Sequence, residues 1–299
     1  ESFSKFSLMT NTIFPIGFIL LDFSKWPQLE KVLFWFVAIF YIMIIFGNLT
    51  IIVLSCIDPH LYTTSYFFLS NLSSLELCFT TTMVPQMSNL WGPEKTITYV
   101  GCVIQLCVFL FLSATECTLL VVMAFDRYVA VCQPSSPLEA GPHSLALWPD
   151  AISPITLQLS FCVYHHVDDF CEVPTLIYLA CGDTSSNGWQ LTISAILFTI
   201  LPVGLILTSY GYIAQTVGKI KSEEGRQKAI ATCSSHLLVV FMFYGTAAVV
   251  YTDPKYNFAS KYGKFFTFLY TVVTPLLNPL IYTLNKEVKE ALLRSRIKG

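Results

Sequence analysis

The chain has 299 residues, of which 54% are hydrophobic and 12% are charged, and its mean hydropathy is +0.62. The charged share is about half of that typical of a soluble globular domain, which excludes a soluble fold because its surface would lack polar cover. The net charge of −2 gives no sign of a nucleic-acid partner.

Six segments are long and apolar enough to be membrane spans. A spanning helix needs about 20 mostly apolar residues. The segments that meet this requirement, in chain order, are 32–56, 66–91, 99–132, 188–217, 229–251 and 265–284. No basic stretch followed by a short apolar core precedes them, so we expect the first span to act as its own insertion signal.

A weaker seventh span is predicted at 143–161, from charge topology and not from hydropathy. The segment contains Pro149, Asp150 and Pro154, which disfavour a membrane helix. Basic residues mark the cytoplasmic side, and both Arg127 and Lys219 are expected there. An even number of crossings must separate them, and the span at 188–217 supplies only one. The alternative is a six-span chain whose second half is inverted or misfolded.

Five motifs, taken together, resemble the odorant (olfactory) receptor family of rhodopsin-like, G-protein-coupled receptors. The resemblance runs from about residue 18 to residue 292, except for 133–161. The motifs are Gly47-Asn48, the segment MAFDRYVAVC at 123–132, KAIATCSSHL at 228–237, FYGT at 243–246 and PLLNPLIY at 275–282.

The resemblance implies an all-α, integral membrane seven-helix bundle formed by a single domain over residues 1–299. The segment at 143–161 would be a short, proline-broken fourth helix, and a short amphipathic helix would end the chain. The implied protein is multi-pass in the plasma membrane, in contact with lipid, with its N-terminus outside. It is not an enzyme, and it binds a small volatile hydrophobic ligand and activates a heterotrimeric G protein by ligand-biased helix rearrangement.

The inner ends of the spans are expected to hold the switch that couples to the G protein. The resemblance implies that Asp126 holds Arg127 until activation releases it, whereas an Arg that snorkels to the interface is the alternative. Asn278-Pro279 interrupts backbone bonding and would let Tyr282 swing, with a simple proline kink as the alternative. The whole switch set is Asp126, Arg127, Tyr128, Tyr210, Asn278, Pro279 and Tyr282.

Glu76 and Glu116 are the carboxylates deep within the second and third spans. Such groups are costly in a membrane and usually functional. If both face the bundle core, they would share a proton or a cation such as sodium. The resemblance adds Asn48 and Asn278 as neighbours in this cation or proton site. No other cofactor is expected.

The ligand site is predicted in the outer half of the bundle, where the family places its pocket. Residues of the third span that share one helix face carry no charge, so we expect a neutral, hydrophobic ligand. Each of them is equally consistent with plain packing, and Tyr244 is the favoured link between ligand and helix motion. The predicted ligand-binding residues are Leu106, Phe109, Leu110, Ser113, Ala114, Ser194, Phe198, Tyr244, Ala247, Ala248, Tyr251, Phe268 and Thr271.

Four of the ten cysteines lie in or beside polar stretches and are disulfide candidates on an oxidising side. The sequence alone allows three pairings, and the resemblance implies Cys102–Cys171 and Cys162–Cys181. Histidine and acidic side chains between 165 and 172 are interpreted as a solvated loop and not as a metal site.

Two departures from the family pattern bear on function. Residues 134–161 do not resemble the family, and Thr64-Ser65 stands where the family usually has Pro-Met. The first departure keeps open a non-signalling product of a damaged receptor gene. A transporter or channel that uses Glu76 and Glu116 is a further alternative, although no internal repeat is visible. A membrane enzyme is the least favoured, since no hydrolase or metalloprotease motif occurs.

Overall fold

The computed structural model describes residues 17–20, 27–82, 96–133, 166–167, 185–252, 273–283 and 286–298. A 3-10 turn at Pro59–Leu61 follows the first helix, and a π-helical turn at Ile196–Ile200 joins the fourth helix to the fifth. The helices are α1 (Pro27–Ile57), α2 (Thr64–Thr81), α3 (Tyr99–Cys132), α4 (Ser185–Ala195), α5 (Leu201–Val217), α6 (Glu223–Thr252), α7 (Thr274–Thr283) and α8 (Lys286–Lys298).

Local chemistry accounts for the ends of α1. Pro27 is its first residue, a position where the missing N–H costs nothing. The helix ends at Ile57 because Asp58-Pro59 follows, and proline cannot continue it. The Asp58 carboxylate then accepts a hydrogen bond from the backbone N–H of His60 at 3.0 Å and caps the 3-10 turn.

The central helix is α3, which packs against α2, α5 and α6. Leu119, Leu120 and Ala124 on its inner half are fully buried, whereas Ile104 and Phe111 lie exposed on the opposite face. α1 packs against α2 and α7. The main apolar core therefore lies in the inner half of the bundle, around α3.

Four helical segments among the described residues are long and apolar enough to cross a membrane: Phe34–Ile57, Val100–Cys132, Ile196–Val217 and Glu223–Thr246. Large apolar side chains on their outward faces, such as Phe46 and Phe241, are exposed. A soluble protein rarely leaves so much contiguous apolar surface uncovered. These faces are therefore suited to contact with lipid.

A small sheet was not predicted from the sequence. Its strands are β1 (Gly17–Leu20), β2 (Thr96–Thr98) and β3 (His166–Val167), in the order β2-β1-β3. β1 pairs antiparallel with β2, with Phe18 opposite Ile97, and parallel with β3, with Ile19 opposite His166. Strands of two to four residues are too short to show an alternating pattern in the sequence, and they leave the predicted helical fold class unchanged.

The helix ends differ from the predicted spans in several places. α3 has the bounds of the predicted third span, while α1 and α6 begin earlier than predicted because Pro27 and the acidic Glu223-Glu224 pair suit a first helical turn. α8 buries Val288 and Ala291 and exposes Lys289 and Glu290, as an amphipathic helix does. The weak span at 143–161, and residues 83–91 and 265–272, lie outside the described residues, so the count of seven spans stays a prediction.

Candidate functional site

The two membrane carboxylates lie in one buried cluster at the middle of the bundle. Glu76 on α2 and Glu116 on α3 are both buried, and they are close enough to repel each other electrostatically. The side-chain amide of Asn278, on α7, donates a hydrogen bond to Glu76 Oε1. No described Lys, Arg or His forms an ion pair with either carboxylate.

Asn48 joins this cluster by tying α1 to α7. Its Nδ2 donates to the carbonyl of Ile44 at 3.1 Å and to the carbonyl of Pro275 at 3.4 Å. The preceding Gly47 lies directly against the ring of Pro279. A Cβ added at Gly47 would lie only 2.9 Å from Pro279 Cγ. The side-chain oxygens Oδ1 of Asn48 and Asn278 are buried and have no hydrogen-bond partner among the described residues.

A second buried polar cluster, the inner cluster, lies nearer the C-terminal end of α3, which is the end expected to face the inside of the cell. Tyr210 on α5 and His236 on α6 share a hydrogen bond of 2.8 Å between the hydroxyl and Nδ1, and their rings stack with an interplanar angle of 16°. Arg127 lies within electrostatic range of both, and of Tyr282 on α7. The Tyr282 hydroxyl is buried and has no hydrogen-bond partner in the described part of the chain. Charged and polar side chains from α3, α5, α6 and α7 thus lie near one another at this end of the bundle.

The carboxylate of Asp126 has a hydrogen-bond partner on α2 that the sequence does not predict. Its Oδ2 accepts a hydrogen bond of 2.7 Å from the hydroxyl of Ser65 on α2. No ion pair between Asp126 and Arg127 occurs in the part of the chain that the structure describes. The Asp126 carboxylate is thus tied to α2 in this conformation, and its expected hold on Arg127 stays a prediction.

The remaining switch residue lies outside the inner cluster. The ring of Tyr128 contacts that of Tyr212 edge to face, with centroids 5.9 Å apart. One turn further along, the Cys132 thiol lies 3.2 Å from the Thr216 hydroxyl, in a contact that also joins α3 to α5. Tyr128 therefore helps to hold α3 against α5.

The predicted ligand face of α3 is partly packed. Leu106 is buried, while Phe109, Leu110, Ser113 and Ala114 are only half-buried. The ring of Phe109 lies 5.3 Å from that of Phe79 on α2. The burial of Leu106 therefore favours a packing role, whereas the four half-buried residues remain partly accessible.

The predicted ligand residues of the other helices fall into three groups. Ser194 on α4 and Phe198 in the π turn are half-buried, and Phe198 packs against the apolar core. Tyr244 on α6 is buried, and its hydroxyl lies beside Cys117 and within electrostatic range of Glu116. On α6, the structure describes only the backbone of Ala247, Ala248 and Tyr251. Phe268 and Thr271 lie outside the described residues.

The outer end of α3 is tied by a disulfide, since Cys102 is disulfide-bonded. Cys162, Cys171 and Cys181 lie outside the described residues, so the predicted pairings stay predictions. Among the residues that the structure describes, no group of three or more His, Cys, Asp or Glu side chains is arranged to hold a metal ion.

Comparison with known proteins identifies the family. The profile of the family described as "Olfactory receptor" matches residues 37–298. The chain belongs to the olfactory receptor family. It is 51% identical to human Olfactory receptor 2H1 over 96% of this chain and 95% of that protein. It is 54% identical to mouse Olfactory receptor 2C1 over 95% of this chain and 96% of that protein.

The olfactory receptor has the fold of rhodopsin. It superimposes on the crystal structure of squid rhodopsin with a TM-score of 0.68, covering 92% of this chain and 89% of that one at 15% sequence identity. This match confirms the predicted helical, membrane-spanning fold class. Together with the family match it supports an odorant-type, G-protein-coupled receptor over a transporter, a channel or an enzyme.

Sequence reasoning about this olfactory receptor missed two residues of its polar clusters. His236 belongs to the KAIATCSSHL motif, and the motif does not indicate its partner. Its spacing to Val239, Val240 and Phe243 places it on the buried face of α6, and that was a usable signal. Ser65 was seen only as a departure from the family pattern, and nothing in the sequence pairs it with Asp126, which lies 61 residues away.

Proposed function

We propose that this olfactory receptor binds a small, neutral, hydrophobic odorant in its outer half and activates a heterotrimeric G protein at its inner end. The family match over residues 37–298 carries this conclusion. The protein is proposed to act without catalysis and without a nucleic-acid partner, by shifting between helix arrangements that the ligand binds unequally.

The proposed ligand site lies around the outer half of α3 and the neighbouring faces of α4 and α6. Phe109, Ser113 and Ala114 are only half-buried, as residues beside a pocket would be. The described predicted residues carry no charge, so a neutral ligand with one hydrogen-bonding group suits them better than an amine. Ser113 and Ser194 supply hydroxyl groups for such a ligand.

Tyr244 is proposed to couple ligand binding to the carboxylate cluster. It lies on α6 next to the other predicted ligand residues of that helix. Its hydroxyl lies beside Cys117 and near Glu116. A ligand that displaces the Tyr244 ring would change the surroundings of Glu116. Because Glu76 is hydrogen-bonded to Asn278 on α7, that change reaches the helix that carries Tyr282.

The inner cluster is the proposed G-protein switch. Arg127, Tyr210 and Tyr282 come from three helices and meet around His236. A cluster of this kind has discrete packing arrangements, because its polar groups must exchange partners together when one helix moves. Asp126, Asn278 and Pro279 are proposed to set the equilibrium between these arrangements, and Tyr128 to hold α3 against α5.

Glu76 and Glu116 are proposed to share a proton or a sodium ion. Two buried carboxylates without a cationic partner cannot both stay ionised at low cost. The Oδ1 atoms of Asn48 and Asn278, which have no partner among the residues that the structure describes, lie on the helices beside them and are ligands that a hard cation accepts. A bound sodium ion would offset one of the two negative charges and stabilise the packing of α1, α2, α3 and α7.

The receptor is proposed to be a seven-span protein of the plasma membrane with its N-terminus outside. The disulfide at Cys102 suits an oxidising outer side. Arg127, Lys219 and Lys221 would then lie inside, as the positive-inside rule requires. The fourth span would come from 143–161, and the disulfides would join Cys102 to Cys171 and Cys162 to Cys181.

The experiment expresses an N-terminally tagged receptor in cells that contain an olfactory G protein. Surface display on intact cells is measured by antibody, and odorant-evoked cAMP is measured across a panel of neutral volatile compounds. We expect a response that Arg127→Ala abolishes at equal surface display. A response that survives in Arg127→Ala would contradict the proposed switch, and surface-displayed receptor that is silent to the panel would contradict the ligand class.

The cation proposal has its own test, the sodium dependence of the odorant concentration–response curve. Replacing external and internal sodium with a large organic cation should shift the curve of the unmodified receptor, whereas Glu116→Gln should make it insensitive. Thr115→Val, which alters the neighbouring residue of α3, serves as the matched control. If all three proteins were equally sensitive to sodium, Glu116 would not hold the ion. Only a proton shared by the two carboxylates would then remain of the proposal.

A further inference from the structure

A cavity of about 470 Å³ lies between the inner end of α1 and α8, away from both polar clusters. Its α1 wall is an apolar stripe formed by Phe46, Leu49, Val53 and Ile57, whose exposed fractions range from 43% to 68%. The α8 wall includes Leu292. A volume of this size is within the range of small-molecule sites, about 300–1,000 Å³.

The stripe has the length of one membrane leaflet. From residue 46 to residue 57 a helix rises roughly 16 Å at about 1.5 Å per residue. The hydrocarbon core of a bilayer is about 30 Å thick, so one leaflet contributes about half of that. An acyl chain that lies along the stripe would therefore contact it from the middle of the bilayer to the inner surface.

Polar groups close the inner end of this cavity. Arg294 on α8 donates from Nε and Nη2 to Asp58 Oδ2 at 3.0 and 2.8 Å, and His60 Nδ1 lies 2.9 Å from Asp58 Oδ1. These hydrogen bonds lower the pKa of Asp58 to about 2, and the bond from Arg294 makes the largest contribution. The third guanidinium nitrogen of Arg294, Nη1, lies 3.8 Å from Glu290, and the Arg294 side chain is 36% exposed. The side chain of His60 is 73% exposed.

The surrounding helix favours a negative headgroup. Although Asp58 and Glu290 flank Arg294, α8 as a whole has an excess of cations, with Lys286, Lys289, Arg294, Arg296 and Lys298 against Glu287 and Glu290. Basic segments beside a span attract the anionic lipids of the cytoplasmic leaflet. We infer that the groove between α1 and α8 binds one anionic phospholipid, with an acyl chain on the stripe and its phosphate at Arg294 and His60.

This inference rests on the proposed function only in taking the α8 end as the inner side. The test therefore uses lipid labelling of purified full-length receptor, which needs no odorant response. The receptor is placed in phosphatidylcholine nanodiscs with a trace of phosphatidylserine that carries a photoreactive diazirine in its acyl chain. Cross-linked peptides are mapped by mass spectrometry, with unlabelled phosphatidylserine, phosphatidylcholine or cholesterol as competitor.

We expect the label to concentrate on residues 46–57 and phosphatidylserine to compete at least fivefold better than phosphatidylcholine. Val53→Trp, which fills the groove, and Arg294→Gln, which removes the charge, should each lower labelling of this segment severalfold. Ile42→Trp, at an exposed position of α1 outside the cavity, should leave it unchanged, and Arg294→Lys should keep most of it. If Arg294→Gln fails to fold, Val53→Trp decides the matter.

Three results would overturn the inference. Equal competition by the two phospholipids would show an unselective annular lipid. Competition by cholesterol as strong as that by phosphatidylserine would indicate a sterol site. Labelling that is unaffected by Val53→Trp would show that the acyl chain does not lie in this groove. Loss of odorant signalling with labelling intact would concern the proposed function alone.

Discussion

The seam between α1 and α7 offers a sharp test of how tightly the bundle is packed. Replacing Gly47 by Ala would place a Cβ 2.9 Å from Cγ and 3.1 Å from Cβ of Pro279. Carbon atoms pack at about 3.5–4.0 Å, and the proline ring cannot rotate away. The two helices must therefore separate by several tenths of an ångström, which also strains the hydrogen bond from Asn48 to the Pro275 carbonyl.

The expected size of the effect follows from two opposing contributions. Over-packing a close contact costs about 1–3 kcal/mol. Alanine in a helix is more stable than glycine by roughly 0.5–1 kcal/mol. The difference leaves a net destabilisation of about 1 kcal/mol, which corresponds to a fall in Tm of about 2–4 °C for a large domain.

Thermal unfolding of detergent-solubilised receptor measures this difference. Gly211→Ala on α5 is the matched control, because a Cβ there meets nothing within 4 Å. That variant should have an unchanged or raised Tm. Combining Gly47→Ala with Pro279→Ala removes the nearest ring atom and should restore part of the loss. Equal Tm changes in Gly47→Ala and Gly211→Ala, or no coupling in the double variant, would refute the close packing of α1 on α7.

Three further predictions concern polar contacts. Ser65→Ala leaves the buried carboxylate of Asp126 without its donor, so we expect a loss of about 1–3 kcal/mol in unfolding free energy and altered basal cAMP. Tyr210→Phe removes the 2.8 Å hydrogen bond to His236 and should cost a similar amount, with changed basal cAMP. The pKa of Asp58 is lowered, so its stabilising effect is present above about pH 4 and lost as pH falls toward 2; Tm of wild type and Asp58→Asn should converge over that range.

Each of these predictions has a comparison that isolates it. Ser74→Ala removes a hydroxyl that bonds only within α2, and it should change neither stability nor signalling appreciably. Ser209→Ala does the same beside Tyr210 on α5. For Asp58, a Tm difference from the Asn variant that stays constant between pH 6 and pH 3 would contradict the ion pair with Arg294.

Much of the site could be named from the sequence, but its contacts could not. Glu76, Arg127 and Tyr282 stood out because charged or polar residues in a span are costly, or because they belong to recognisable motifs. The pairing of Asp126 with Arg127 is an expectation from the family resemblance, and the contact that the structure shows for this carboxylate is with Ser65. Adjacent residues on a helix point in different directions, about 100° apart, so closeness in sequence does not predict contact.

The sequence alone predicted the apolar segments long enough to cross a membrane and showed which of their residues carry charge. Bilayer thickness dictates the length of an apolar span, and length and hydropathy are local properties. Only the tertiary structure decided which polar groups meet. Asn278 and Glu76 are 202 residues apart, and Arg294 and Asp58 are 236 residues apart. In a span that is apolar all round, the lipid face and the core face look alike, so helix rotation and partner choice emerge only when the helices pack.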